Sequence, residues 1–220
     1  MAKPIVITSA LSLTNRLTEI LRGDPCTLFA GAGVSAFAGL RTWGDYLISL
    51  ANALAKYEPE LALVMTKKIE RNLLPEAAHF YFAATDMPIG EKYEELVRCL
   101  KTEKYDFKRL VPLVSLPFEA IVTTNYDRAL HDAWSRYHRT APVAVERNDS
   151  TFKTAGFTSG SFIARIHGRE EVPREMILES AHYAVLEKDD PYQDFLYNLS
   201  RGASACSSAF PSWTRLSTAF

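Results

Sequence analysis

The stretch Cys26–Ser35 constrains the fold of this chain more than any other. Its first five residues, Cys26–Ala30, are small or apolar and predict a buried strand, and Gly31-Ala32-Gly33 follows directly. Because glycine has no Cβ and tolerates positive φ, such a loop lets the backbone approach a ligand closely. If a helix follows, its free N–H groups form an anion site suited to a pyrophosphate. A plain strand-terminating turn is the alternative, since the third glycine of the usual dinucleotide fingerprint is missing.

Composition narrows the class of protein. The chain has 220 residues, a hydrophobic share of 47% and a net charge of −1. This is enough apolar sequence for a sizeable core in one large domain, and the charge gives no indication of direct nucleic-acid binding. Cys26, Cys99 and Cys206 include no Cys-x-x-Cys pair, which excludes a four-cysteine zinc site within one chain and favours a reducing compartment. We predict neither a signal peptide nor a membrane span, and therefore expect a cytoplasmic protein without membrane contact.

Three predicted strands each end in small or polar residues. Cys26–Ala30 ends in the glycine loop, Glu119–Thr124 ends in Asn125-Tyr126-Asp127, and Ser161–Ile166 ends in His167-Gly168. In open α/β sheets, ligands bind at the carboxyl ends of the strands, so we expect these residues to lie along one edge. Taken singly, Asn125 or Asp127 also suits a helix cap, and His167 also suits a turn.

Helical periodicity fills the sequence between the first two strands. This block is larger than a single βαβ crossover requires, and it predicts a small helical subdomain over the site. Trp43 is interpreted as a core anchor of its first helix, with contact to a ligand as the less favoured alternative. His131 and His138, on a helix after Asp127, are interpreted as surface residues. The remaining predicted elements are a helix over 8–22, helices over 42–56, 60–84 (broken near Pro75), 91–101 and 107–114, a short strand over 142–146 and a mobile loop over 148–160.

The ordered trio of strand-end motifs resembles the sirtuin-like family of NAD-consuming domains, over about residues 20–200. Ser180-Ala181-His182-Tyr183 resembles a further element that follows the histidine in bacterial members. The resemblance implies an α/β fold: a Rossmann-like parallel sheet with helices on both faces and a helical insertion between the first two motif strands. It also implies roles for single residues. Gly31, Ala32, Gly33 and Ser35 would line the dinucleotide phosphates, Asn125 and Asp127 would lie near the nicotinamide ribose, and His167 would be the catalytic histidine.

Two departures from the protein deacylases of this family favour its bacterial branch, whose members commonly hydrolyse NAD in defence against phage. The deacylases usually carry glutamine where this chain has Thr124, which we count among the cofactor-binding residues, and they carry a zinc ribbon of four cysteines. We therefore expect NAD as the substrate, no zinc or other metal, and cleavage to nicotinamide and ADP-ribose with Asn125 and His167 as catalytic residues. The alternatives are a non-catalytic module that senses NAD or ADP-ribose and, less favoured, an NAD-dependent deacylase. Partners beyond NAD itself, a second copy of the chain or another defence protein, stay open.

The end of the chain departs from the pattern of the rest. Residues 1–200 are assigned to the sirtuin-like NAD-binding domain, with the helical insertion at about 42–116, whereas 201–220 show neither helical nor strand periodicity. Relatives are expected to form another strand there, ending in Gly-Phe-Ser and then Asp-Pro, which helps close the nucleotide site. We therefore hypothesise that the reading frame shifts near Leu199–Ser208 and that the chain stops early. A flexible terminus is the simpler alternative, and sequencing the gene distinguishes the two.

Overall fold

The computed structural model of this chain describes residues 26–101, 105–155 and 161–202. The helix predicted over 8–22 and the tail beyond Gly202, together with the frame-shift hypothesis about it, lie outside the described residues.

Within the described residues, four parallel strands form one sheet in the order β1-β2-β4-β3. The register sets Ala30 beside Thr123 and Thr123 beside Arg165, so neighbouring strands end at the same level. The residues that follow β1, β2 and β4 therefore emerge along a single edge of the sheet. The strands are β1 Thr27–Ala30, β2 Ala120–Thr123, β3 Val143–Glu146 and β4 Phe162–Arg165.

Helices lie against both faces of the sheet, and a block of helices separates the first two strands in the sequence. This confirms the Rossmann-like prediction and its helical insertion. The α-helices are α1 Ala32–Phe37, α2 Trp43–Leu54, α3 Pro59–Glu70, α4 Leu74–Ala83, α5 Ile89–Leu100, α6 Val111–Val114, α7 Ala129–His138, α8 Phe152–Ala155, α9 Ser180–Leu186 and α10 Asp190–Gly202; Phe107–Leu110 and Pro173–Glu175 are 3₁₀ turns.

The two faces of the sheet carry separate apolar cores, because side chains alternate along a strand. Ile121 and Ile163 point to one face, where the core is completed by Ala133 and Trp134 of α7. Val122 and Ala164 point to the other face, against Phe195 of α10 and its neighbours. The central strands β2 and β4 are buried throughout, as expected for a parallel sheet covered on both sides.

The helical insertion α2–α5 has its own core, which includes Leu47, Met65 and Tyr81. Local signals start its helices: the Thr42 hydroxyl accepts a hydrogen bond from the Asp45 N–H, and α3 and α4 each have proline in the first turn. Met176 and Leu178, from the segment after β4, belong to the same core. The insertion therefore packs against a segment that begins at the carboxyl edge of the sheet. No helix among residues 26–101, 105–155 and 161–202 has the length and apolar character needed to cross a membrane.

Two expectations about polar segments are wrong. His131, expected on the surface, is 5% exposed, because this face of α7 turns toward the buried Arg165 at the end of β4. His138 is exposed, as predicted. The loop expected over 148–160 contains the short helix α8, whose Phe152 is buried and stacks on Phe195. The polar composition of this segment predicted a loop, but Phe152 packs in the core and holds the segment against α10. Residues 156–160 lie outside the described part of the chain.

Candidate functional site

A cavity of about 120 Å³ opens at the carboxyl edge of the sheet. Its walls come from all three loops that follow β1, β2 and β4, as the strand-end argument predicts. Among the predicted site residues, six line this cavity: Ala32, Ser35, Thr124, Asn125, Asp127 and His167. Gly31 lies beside them and contacts Asn125, whereas Gly33 is not part of the cavity wall.

Asn125 joins the loop after β2 to the loop after β1. Its Nδ2 donates hydrogen bonds to the carbonyl of Gly31 at 2.9 Å and to the hydroxyl of Ser35 at 2.7 Å. The side chain is 8% exposed, and its own N–H donates to the Thr123 hydroxyl at 3.1 Å. Because both amide hydrogens are used within the protein, Oδ1 is the atom of this amide that can serve a ligand as an acceptor. Asn125 is therefore not a helix cap.

Ser35 passes this chain of hydrogen bonds on to Asp127. Its hydroxyl donates to Asp127 Oδ2 at 2.6 Å, and Asp127 Oδ1 accepts from the N–H of Ala129 at 2.9 Å. The second bond satisfies a free N–H at the start of α7, although the N-cap position itself is Arg128, so Asp127 serves the helix start from one residue before the cap. The same carboxylate also lines the cavity, and the role at the helix start and the site position coexist.

The two glycines of the first loop leave its backbone open. Gly31 has φ −106°, an ordinary extended value, so the loop makes no use of positive φ there. A Cβ built at Gly31 or at Gly33 meets no atom of the described residues within 4 Å. Packing within the described chain therefore does not require glycine at either position. Gly31 is half-buried and Gly33 is exposed, and the space around both at the start of α1 allows close approach by a ligand.

His167 lines the cavity from the end of β4 and is 9% exposed. Burial, and to a smaller extent the positive charge of Arg147, lowers the pKa of His167 to about 4. The imidazole is therefore neutral near pH 7 and can accept a proton or a hydrogen bond. Its backbone carbonyl accepts from the N–H of Ile177 at 2.9 Å, which fixes the start of the loop. The turn role and the position in the site again coexist.

Residues 119–207 match the family model of the SIR2-like domain. This match confirms the sirtuin-like resemblance over the part of the chain that carries β2, β3, β4, Asn125, Asp127 and His167. It supports an NAD-related function in general. The first glycine loop and the helical insertion lie outside the matched residues. A search of curated proteins found no match.

The SIR2-like region forms only part of the cavity wall, and sequence reasoning missed most of the rest. Trp43 packs against the core of the insertion, as predicted, but it also lines the cavity. Its helical spacing indicates a core position and leaves contact with a ligand as the less favoured alternative. Arg41 and Tyr46 come from the same stretch of the insertion, and Tyr183 comes from α9. No group of three or more His, Cys, Asp and Glu side chains in the described ranges is placed to hold a metal ion.

Arg165 forms hydrogen bonds with three segments around the site: β3, the loop after β2 and the segment after His167. This side chain is 4% exposed and donates to Glu146 Oε1 of β3 at 2.7 and 3.0 Å. It also donates to Glu171 at 3.1 Å and to the carbonyl of Tyr126 at 3.3 Å. Tyr126 lies between Asn125 and Asp127, so Arg165 links the asparagine loop to the segment after His167. The periodicity of β4 predicted only a strand residue at this position.

Proposed function

We propose that this chain is an NAD glycohydrolase that releases nicotinamide and ADP-ribose, and that it acts in the cytoplasm of bacteria in defence against phage. The observation that carries the proposal is the placement of Asn125 and His167 in the wall of one cavity at the carboxyl edge of the sheet. The SIR2-like match of residues 119–207 supports NAD as the ligand class. Thr124 and the lack of four cysteines favour hydrolysis over deacylation.

The size of the cavity favours binding of NAD in two places, one part inside the cavity and the other over the glycine loop. At about 120 Å³ it is well below the roughly 300 Å³ at which pockets for whole drug-sized ligands begin. It suits a single ring of NAD, the nicotinamide, with the ribose at its mouth. The pyrophosphate then lies over Gly31–Ser35, where the open glycine backbone at the start of α1 supplies N–H donors.

The reaction requires little from the protein beyond placement and charge. The bond between ribose C1′ and the pyridinium nitrogen breaks, its electrons pass to the ring nitrogen, and nicotinamide leaves as a neutral molecule. The ribose becomes an oxocarbenium ion of the kind formed in glycoside hydrolysis. Asn125 Oδ1 accepts from a water or a ribose hydroxyl, and the carboxylate of Asp127 stabilises the positive charge. Water adds to C1′, and the neutral imidazole of His167 takes up the proton that this water loses.

The test is the release of nicotinamide and ADP-ribose from NAD by the purified 220-residue chain. We expect His167→Ala and Asn125→Ala to lower turnover by about 100-fold or more, since general acid–base groups contribute roughly that much. His138→Ala and Asn148→Ala, at exposed positions, are the matched controls and keep wild-type turnover. Equal activity in all five proteins contradicts the assignment of the site.

Two other outcomes would point to the alternatives. Thermal stabilisation of the chain by NAD or ADP-ribose without any product indicates a sensing module, because a ligand that binds only the folded state raises its stability. Turnover of an acylated lysine peptide together with NAD indicates a deacylase. An NAD-hydrolysing chain gives neither result.

A further inference from the structure

His167 has a polar neighbour that is not part of the cavity wall. The hydroxyl of Tyr192, on α10, lies 3.5 Å from His167 Nε2. The tyrosine is 7% exposed and the histidine 9%. Tyr183 of α9 meets the same imidazole edge-on, with ring centroids 5.4 Å apart. The histidine is thus held between two aromatic side chains, of which Tyr192 faces a ring nitrogen.

Tyr192 is itself fixed by Asp189, which precedes α10. Asp189 Oδ1 accepts from the backbone N–H of Tyr192 at 3.2 Å, in the manner of an N-cap, and Oδ2 pairs with Arg147 at 3.4 Å. Arg147 follows β3 and also donates to the carbonyl of Glu175 at 3.4 Å. The position of Tyr192 therefore depends on the end of β3, the segment after β4 and the start of α10 together.

We propose that Tyr192 is a positioning residue for His167: its hydroxyl oxygen accepts from Nε2–H and leaves Nδ1 to act on the substrate, while Asp189 and Arg147 hold the tyrosine in place. This inference rests on the proposed function. A base oriented by a third group through its other nitrogen is a recurrent arrangement in catalysis. A distance of 3.5 Å is at the outer limit of a hydrogen bond, and such contacts tighten when substrate binds.

The charges around His167 also favour a neutral imidazole that is oriented by a neutral Tyr192 hydroxyl. Burial raises the pKa of Tyr192, so the phenol is neutral over the working range of pH. Arg147 lowers the pKa of His167 beyond the effect of burial and keeps the imidazole neutral. The titratable or charged groups that act on His167 from its neighbours are Arg147 after β3, Tyr183 of α9 and Tyr192 of α10. Asp189, before α10, pairs with Arg147.

The first experiment compares Tyr192→Phe with Tyr197→Phe in the full chain. Both residues lie on α10, but Tyr197 is 58% exposed. We expect Tyr192→Phe to lower kcat by about 10–100-fold, within the range of a misoriented general base, and to change KM for NAD less than about twofold. Tyr197→Phe keeps the wild-type kcat. If Tyr192→Phe matches wild type while His167→Ala is inactive, the inference is wrong and the proposed function stands.

A second variant covers the case in which loss of the phenol hydroxyl unfolds the chain. Asp189→Asn retains a good N-cap for α10 but removes the charge that pairs with Arg147. We expect a several-fold fall in kcat at a temperature well below the thermal midpoint, where the variant is folded, whatever the midpoint does. A fall in thermal midpoint at unchanged kcat assigns Asp189 and Tyr192 to stability alone and overturns the positioning role.

The second experiment reads the tautomer of His167 without any turnover. The chain has five histidines, so ¹⁵N-histidine NMR spectra of wild type and His167→Ala identify the His167 signal by difference. We expect the Nε2–H tautomer in the wild type and a mixture of tautomers in Tyr192→Phe. An Nδ1–H tautomer in the wild type, or the same spectrum in both proteins, overturns the inference. If the chain does not consume NAD, the proposed function fails and this measurement still decides the role of Tyr192.

Discussion

The amide of Asn125 donates both to the carbonyl of Gly31 and to the hydroxyl of Ser35, at 2.9 and 2.7 Å, across 94 and 90 residues of sequence. Ser35 then donates to Asp127 at 2.6 Å. The loops after β1 and β2 are therefore one hydrogen-bonded unit. A change at Asn125 acts on the first loop as well as on its own.

Asn125→Asp tests this unit, because it keeps the shape of the side chain but replaces a donor with an acceptor. The new carboxylate oxygen faces the Gly31 carbonyl, which can only accept. We expect the free energy of unfolding to fall by about 1–3 kcal/mol and NAD consumption to be lost. Urea denaturation and nicotinamide release measure the two effects. Asn148→Asp adds the same charge at an exposed position and serves as the control; equal stability in both variants contradicts the bonding at Asn125.

Gly33→Ala separates ligand binding from folding. Gly33 lies in the first turn of α1, and a Cβ there meets no atom of the described residues within 4 Å. Since alanine favours a helix over glycine, we expect the free energy of unfolding to stay the same or to rise by up to about 1 kcal/mol. We expect affinity for NAD to fall, because the added methyl group lies where the pyrophosphate is proposed to approach. Calorimetric titration with NAD measures this, and unchanged affinity contradicts the phosphate role of the loop.

Gly168→Ala makes the opposite prediction for the second glycine-bearing loop. Gly168 has φ +91°, and a Cβ there lies 2.6 Å from the carbonyl oxygen of Glu175. Both the left-handed backbone and the close approach require glycine. We expect the free energy of unfolding to fall by about 1–3 kcal/mol, measured by urea denaturation. A Gly168→Ala protein as stable as wild type disagrees with the packing of this loop.

The sequence predicted the strands and the meeting of their ends because both depend on short-range signals. A β-branched run marks β2, an apolar run begins β4, and parallel pairing brings the residues after both strands to one edge. The helical insertion was predictable for the same reason, since its stripes have a clear period. The resemblance implies site roles for Asn125, Asp127 and His167, and all three line the same cavity.

What the sequence could not predict depends on contacts between distant segments. Trp43 and Tyr183 reach the cavity only because the insertion and α9 pack around it. Tyr192 meets His167 through the placement of α10 against the sheet, which no local pattern encodes. His131 also depends on tertiary packing: its charged neighbours in sequence predicted a surface position, but packing against the sheet buries it.

Arg165→Met should destabilise the chain strongly, because it leaves Glu146 buried without its main cation. Both side chains are almost fully buried, at 4% and 6% exposure. Removing one partner of a buried ion pair costs about 3–5 kcal/mol. The double variant Glu146→Gln with Arg165→Met removes the stranded charge, and we expect it to regain part of this loss. Urea denaturation of the two proteins measures the difference, and a double variant less stable than Arg165→Met contradicts the pairing.

His131 should make the stability of the chain depend on acid. Its ring nitrogens have no hydrogen-bond partner among the described residues, and burial first, then the charges of Arg165 and Arg128, lower its pKa to about 4 from the ordinary 6.5. Because the folded pKa is the lower one, the unfolded chain binds the proton first. The stability contribution is full above about pH 6.5 and is lost as the pH falls towards 4.

The size of this effect follows from the shift. The fall in the pKa of His131 from 6.5 to about 4 corresponds to about 3 kcal/mol of folding stability, which is lost between pH 6.5 and 4. We expect His131→Leu to be at least as stable as wild type at pH 7.5, since it removes two buried nitrogens without partners, and to lose less stability on acidification. Urea midpoints at pH 7.5, 5.5 and 4.5 measure this, with His138→Leu, at an exposed position of the same helix, as the control. His167 shifts in the same direction, so an acid dependence remains in His131→Leu; a dependence as steep as that of wild type contradicts the burial of His131.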